Sequence, residues 1–284
     1  MVTGNLFLVQ LYIWDDEMDS PIYSDLPSNL QAADRFRHRT IKHLEKYLGS
    51  ETPKDIYPNK FYNNQERENE PLRPELERAI ASFDSAGEAL APVLSKGERE
   101  LFYRELISSI ALTRSEQRTE QCGNAPTIEE YIAIRTWTSA VKPVSALSEY
   151  MHEIQLGDIV RSDPDVKAIF EENAILVYLA NDMFSLRREL TFPFYCNAVA
   201  VLYHKHQNLQ TAVDGVYSLI RESFQRFEEA AKRLFDRYPE KRDILEMFID
   251  GARVMVTGNI TWSKKIRRYK LGIEKFDGTT SITI

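Results

Sequence analysis

Residues 165–190 read DVKAIFEENAILVYLANDMFSLRREL, and this stretch decides the fold. It passes through Val177-Tyr178-Leu179-Ala180 with few breakers and reads as one long helix. Near its end Asn181, Ser185 and Glu189 step by four residues. On a helix that spacing draws a stripe about 12 Å long, drifting about 80° around the axis. An amide oxygen, a hydroxyl and a carboxylate in register form an oxygen ligand set for a hard cation such as Mg²⁺. The plainer reading is that Asn181 and Asp182 mark the polar face of a half-buried helix. Against it, Ala174, Val177 and Tyr178 lie one or two turns earlier on the same face, so the oxygens end an apolar approach.

Outward from this helix the signals stay helical. Val213, Val216, Leu219, Ile220, Phe224, Phe227 and Leu234 keep a helical period and predict a helix from Thr211 to Tyr238. Ile244, Met247, Phe248, Val254 and Ile260 predict another, ending near Tyr269. Two more are expected over Gly97–Glu120 and Thr127–Val141, the second opened by Thr127 as N-cap with Glu129 and Glu130 in its first turn. Pro143 interrupts the chain just beyond Val141. Strand alternation is scarce, and neither a repeat nor a glycine-rich nucleotide loop is found. Ser50–Pro74 carries four of the twelve prolines and reads as a loop or insertion, and residues 270–284 as a loosely held tail. The expectation is one all-α domain over residues 1–284.

Composition bounds the function. The 284 residues are 43% apolar and 28% charged, with a net charge of -7 and a pI near 5.4. An acidic balance argues against nucleic acid as the partner. It does not exclude a small anionic substrate, since a few local cations outweigh a diffuse charge. Two cysteines, Cys122 and Cys196, form neither a disulfide framework nor a CxxC site, which points to a reducing, cytoplasmic setting. No apolar run approaches the roughly 20 residues that span a bilayer. Met1–Trp14 lacks the basic flank and cleavage site of a signal peptide.

Two further clusters carry chemistry. Asp15, Asp16 and Asp19 follow Leu6–Trp14, which is nearly all apolar, so these acids sit at the end of a buried helix; Asp15 and Asp19 share a face four residues apart. An acid run at a helix end is otherwise a solvated face. Trp262-Ser-Lys-Lys-Ile-Arg-Arg268-Tyr269 is a basic helix end, common for macrodipole reasons. It also offers Arg268 and Tyr269 as donors to phosphate oxygens.

Together these residues resemble the class I terpene cyclases of the fungal and bacterial sesquiterpene-synthase type. Asp15, Asp16 and Asp19 match the family's DDxxD motif, and Asn181, Asp182, Ser185, Arg188 and Glu189 match NDxxSxx(K/R)E in full. Trp262, Arg268 and Tyr269 match a Trp followed by Arg-Tyr, and Arg135, 46 residues before Asn181, matches a diphosphate-sensing arginine. The resemblance implies a single-domain helical bundle with a central pocket. It also implies a carbon–oxygen lyase that ionises a prenyl diphosphate, with farnesyl favoured over geranylgeranyl diphosphate. Three Mg²⁺ ions are implied, held by Asp15, Asp16 and Asp19 and by Asn181, Ser185 and Glu189. Arg135, Arg188, Arg268 and Tyr269 would bind the diphosphate. Helical geometry then places the pocket wall at Leu8, Leu11, Tyr12, Ala174, Val177, Tyr178, Gly258 and Trp262, with Asp15 and Asn181 at one cavity mouth. A homodimer is compatible.

Rival readings fall behind. A chain-elongating prenyl diphosphate synthase would need a second Asp-rich motif, and a di-iron bundle a second Glu-x-x-His beside Glu149–His152. Only fourteen residues precede Asp15, where the family carries a helical segment. The expectation is an apolar patch at Leu6, Phe7, Val9 and Ile13 and a chain lacking native N-terminal sequence. An inactive, shortened cyclase is the alternative.

Overall fold

The computed structural model describes residues 2–19, 21–49, 70–190, 197–266 and 269, with side chains from Gln10 onward. Among them the regular elements are all helices: α1 (Val2–Asp19), a 3₁₀ turn (Leu26–Ser28), α2 (Leu30–Leu48), α3 (Pro74–Ala81), α4 (Asp84–Leu90), α5 (Lys96–Cys122), α6 (Ile128–Thr138), α7 (Val141–Ala146), α8 (Ser148–His152), α9 (Asp158–Arg161), α10 (Pro164–Glu189), α11 (Ala198–His206), α12 (Leu209–Arg237), a 3₁₀ turn (Pro239–Lys241) and α13 (Arg242–Lys265). The all-α expectation holds. By contacts the chain divides into two compact units, residues 1–121 with 142–154 and residues 122–141 with 155–284.

In the first unit α1 and α2 each pack against α3 and α4. Trp14 fixes the phase of α1. Its ring stacks on Phe36 at 5.5 Å and its indole N–H donates to Thr40 Oγ1 at 3.0 Å. Arg37 ties α2 to α5 from a fully buried position, donating to Asp34, to Thr113 and, at 2.6 Å, to Gln117. Gln117 passes the link on to the carbonyls of Leu26 and Pro27.

In the second unit α10 is the central element, packed against α6, α11, α12 and α13. Its start is written locally: Asp163 caps it by accepting from the Asp165 N–H at 2.8 Å, Pro164 occupies the first turn, and Arg187 and Arg188 close the last. Arg237 and Tyr238 from the end of α12 donate back to Asp163.

Several expected boundaries move. The helix expected over Thr127–Val141 begins with the anticipated Thr127–Glu130 capping box but ends at Thr138, because Ala140 turns to positive φ. Pro143 does not interrupt structure; it sits in the first turn of α7, where a missing N–H costs nothing. Pro74, assigned to the loop, is the first residue of α3 for the same reason. The last helix stops at Lys265 rather than Tyr269, since Ile266 is extended. Residues 50–69 and 270–284 lie outside the described residues. No described helix is long and apolar enough to cross a membrane.

Candidate active site

Each acid motif is set by the packing of its own helix. On α1, Trp14 and Met18 are buried, each 3% exposed, and this pair one turn apart fixes the inner face. Asp15 and Asp19 fall on the next position and are exposed, while Asp16 and Glu17 are partly buried. Burial raises the Glu17 carboxyl, opposed by Arg73 and reinforced by Glu75 and Asp16.

On α10 the three stripe residues differ in environment. Asn181 is half-buried, and its amide Nδ2 donates to the Tyr269 hydroxyl at 2.9 Å. That bond turns the amide so that nitrogen, not oxygen, meets Tyr269. Ser185 is fully buried, and its Oγ has no hydrogen-bond partner among the described residues. Glu189 is half-buried, with Oε2 accepting from Asn197 Nδ2 at 2.7 Å. Native proteins seldom leave a buried hydroxyl unpaired, and an unpaired one at a site points to a missing ligand. Among the described residues no three His, Cys, Asp or Glu side chains converge as a metal cluster. The α10 set is instead one of mixed oxygen donors. Its chemistry fits Mg²⁺, which is content with few protein oxygens and retained water.

Behind the stripe lies Asp182, which the sequence marks as the second residue of the motif but whose partners it does not show. Asp182 is 1% exposed and accepts from the Tyr131 hydroxyl at 2.6 Å and the Ala198 N–H at 2.9 Å. Burial first, then the Glu189 charge, push its carboxyl well above the usual range, against the Arg135 charge and the two hydrogen bonds. Arg135, partly buried on α6, thus acts electrostatically on the motif from the neighbouring helix. Tyr131 stands one turn before Arg135, and nothing local in the sequence marks Asn197.

The remaining expected residues separate. Gly258 and Trp262, with Val254 and Lys265, line an open depression of ≈ 500 Å³ along α13. A Cβ at Gly258 would meet no atom within 4 Å, so the space beside it is open. Trp262 is half-exposed and sets its ring edge-on to Tyr269, centroids 5.9 Å apart. Tyr269 is buried just beyond the helix. Val177 is half-buried, and its carbonyl accepts from Asn259 Nδ2. Ala174 and Tyr178, expected on the pocket wall, are packed in the interior at 0% and 2% exposure. Tyr178 meets Tyr131 of α6 edge-on at 6.1 Å. On α1, Leu11 is half-buried and Tyr12 exposed, as is Ile13. Arg188 is half-buried. Arg268 and the side chains of Leu6, Phe7, Leu8 and Val9 lie outside the described residues.

The family described as terpene synthase family 2, C-terminal metal binding, matches residues 7–226. The sesquiterpene cyclase hepA of Aspergillus oryzae is 28% identical over 278 residues, covering 95% of this chain and 72% of that protein. The alpha-muurolene synthase of Coprinopsis cinerea is 31% identical over 179 residues, 63% of this chain and 42% of that one, so the chain spans less than half of this relative. The crystal structure of 2-methylisoborneol synthase from Streptomyces coelicolor, in complex with Mg²⁺ and geranyl-S-thiolodiphosphate, superposes with a TM-score of 0.69 at 19% identity, over 95% of this chain and 80% of that chain. At that identity the likeness shows the fold. With three quarters of its length matched by one family and its helices arranged in that family's fold, the chain belongs to terpene synthase family 2, the metal-binding class I terpene cyclases.

Proposed function

We propose that this chain ionises and cyclises farnesyl diphosphate to a sesquiterpene hydrocarbon or alcohol, releasing diphosphate. One observation carries the reading: Ser185 offers a buried, unpartnered oxygen between Asn181 and Glu189 on α10, in a family described by its metal binding. Asn181, Ser185 and Glu189 would hold one Mg²⁺, and Asp15, Asp16 and Asp19 on α1 two more. Bound there, the ions would neutralise the roughly threefold negative diphosphate and make it a leaving group. The chain's own part is to bind and orient. Arg135, Arg188, Arg268 and Tyr269 donate to phosphate oxygens, the arginines with fork geometry. Departure of diphosphate leaves an allylic cation, and the chain must keep water from it. Aromatic faces such as Trp262 stabilise that cation through their quadrupoles. The two units are read together as one catalytic domain, working in a cytoplasmic setting as monomer or homodimer.

The test is incubation of the purified chain with farnesyl or geranylgeranyl diphosphate, with Mg²⁺ or with EDTA, followed by gas chromatography–mass spectrometry. A cyclic C15 product formed only with Mg²⁺ is expected. Product from geranylgeranyl diphosphate alone would overturn the substrate. Absence of any product with either substrate, from protein that melts cooperatively, would overturn the activity.

A further inference from the structure

We propose that Asn197 is the positioning residue of Glu189, fixing the carboxylate that the proposed function assigns to Mg²⁺; the inference rests on that assignment. Asn197 is 1% exposed and its side chain is fully used. Its Oδ1 accepts from the N–H groups of Val199 and Ala200 at 2.9 and 3.4 Å, which makes it the N-cap of α11. Its Nδ2 donates to the Asp182 carbonyl at 2.8 Å and to Glu189 Oε2 at 2.7 Å. An amide has two donor hydrogens and two acceptor lone pairs, and here all four are engaged. Its orientation follows: reversing it would face oxygen with oxygen at Glu189 and at Asp182, and nitrogen with N–H at α11.

Asn197 therefore has little freedom, and it transmits that rigidity to Glu189. It holds one carboxylate oxygen and leaves the other to a cation. It also does so without charge. A lysine or arginine there would neutralise Glu189 and compete with Mg²⁺; a neutral amide orients the carboxylate and leaves its full charge in place. The same side chain starts α11, so the geometry of the metal ligand is locked to the packing of the next helix.

Two substitutions separate the roles. Asn197→Ser keeps a capping oxygen of equal rank and removes the donor to Glu189. Asn197→Asp is isosteric, keeps the cap, and turns an oxygen toward Glu189. Both are compared with Glu189→Gln. Mg²⁺ is titrated calorimetrically into each protein with inorganic pyrophosphate present, melting is followed in EDTA, and turnover of farnesyl diphosphate is measured against Mg²⁺ concentration. For Asn197→Ser, we expect affinity for Mg²⁺ to fall about 10- to 100-fold and half-saturating Mg²⁺ to rise alike. Turnover should recover as Mg²⁺ is raised, while the melting temperature should fall by a few degrees, because the buried Asp182 carbonyl loses its Asn197 donor. Asn197→Asp should bind still more weakly. Wild-type affinity in both variants, with Glu189→Gln impaired, would reduce Asn197 to a helix cap and overturn the inference alone. Wild-type affinity in Glu189→Gln would remove Glu189 as a ligand and overturn the assignment and the inference together.

Discussion

Removing the Ser185 hydroxyl should make the protein more stable and less active. The Oγ is fully buried and unpaired, and does not return to the carbonyl one turn back, the usual outlet for a mid-helix serine. Leaving a buried polar group unsatisfied costs about 1–3 kcal/mol. Alanine also forms helix better than serine, by about 0.5 kcal/mol. Ser185→Ala is small-for-small and opens no cavity of note, so the metal-free protein should gain about 1–2 kcal/mol. At roughly 2–4 °C per kcal/mol for a chain of this size, the midpoint should rise by about 2–8 °C. Turnover should move the other way, because the hydroxyl is a proposed Mg²⁺ ligand. A loss of at least about tenfold at limiting Mg²⁺ is expected, since even groups that merely orient ligands are worth that much. The assay is a thermal melt in EDTA beside diphosphate release from farnesyl diphosphate over a Mg²⁺ series. An ordinary core serine would show no loss of turnover. Lowered stability with intact turnover would refute the reasoning outright, because it would mean the hydroxyl makes a structural bond and binds no metal.

Other consequences can be checked in parallel. Asn181→Ala or Glu189→Ala should cut turnover strongly at limiting Mg²⁺ and leave the far-ultraviolet circular dichroism unchanged, since each removes a half-buried oxygen donor and empties no core. Arg37→Met should destabilise by about 1–3 kcal/mol in a denaturant titration, because it leaves the Gln117 Oε1 unpaired and takes from buried Asp34 one of its two arginine partners. Burial would raise the Asp163 carboxyl, but Arg237, the Asp165 N–H and the Tyr238 hydroxyl hold it below its ordinary value of 3.8. A depressed folded value means the stabilisation is complete above the unfolded value and is lost as pH falls through the folded one. Asparagine caps a helix as well as aspartate does, so Asp163→Asn should keep α10 while flattening the loss of melting temperature below about pH 4.

What the sequence by itself determined was local. The spacing of Asn181, Ser185 and Glu189, the Asp15–Asp19 pair, the Thr127 capping box and the apolar periods of α10 and α12 are facts of covalent order and helix pitch, and folding leaves them as they were read. Helix ends were less legible where they hang on a single dihedral, as at Ala140, or on which N–H groups are unpaired anyway, as at Pro74 and Pro143. Helix α2 is hard to see in the sequence because its inner face carries Asp34 and Arg37 beside Phe36, and buried charges look like surface until their partners on α5 are known. Tertiary structure alone decided what each face meets. Period puts Ala174 and Tyr178 on the side of the metal stripe, but only tertiary packing buries both positions and sets Tyr131 of α6 against Tyr178. In the same way Asn197 carries no local mark of its role. Its amide reaches Glu189 because the start of α11 is packed beside the end of α10, and a hydrogen bond depends on where two groups stand in space, not on how far apart they stand in the chain.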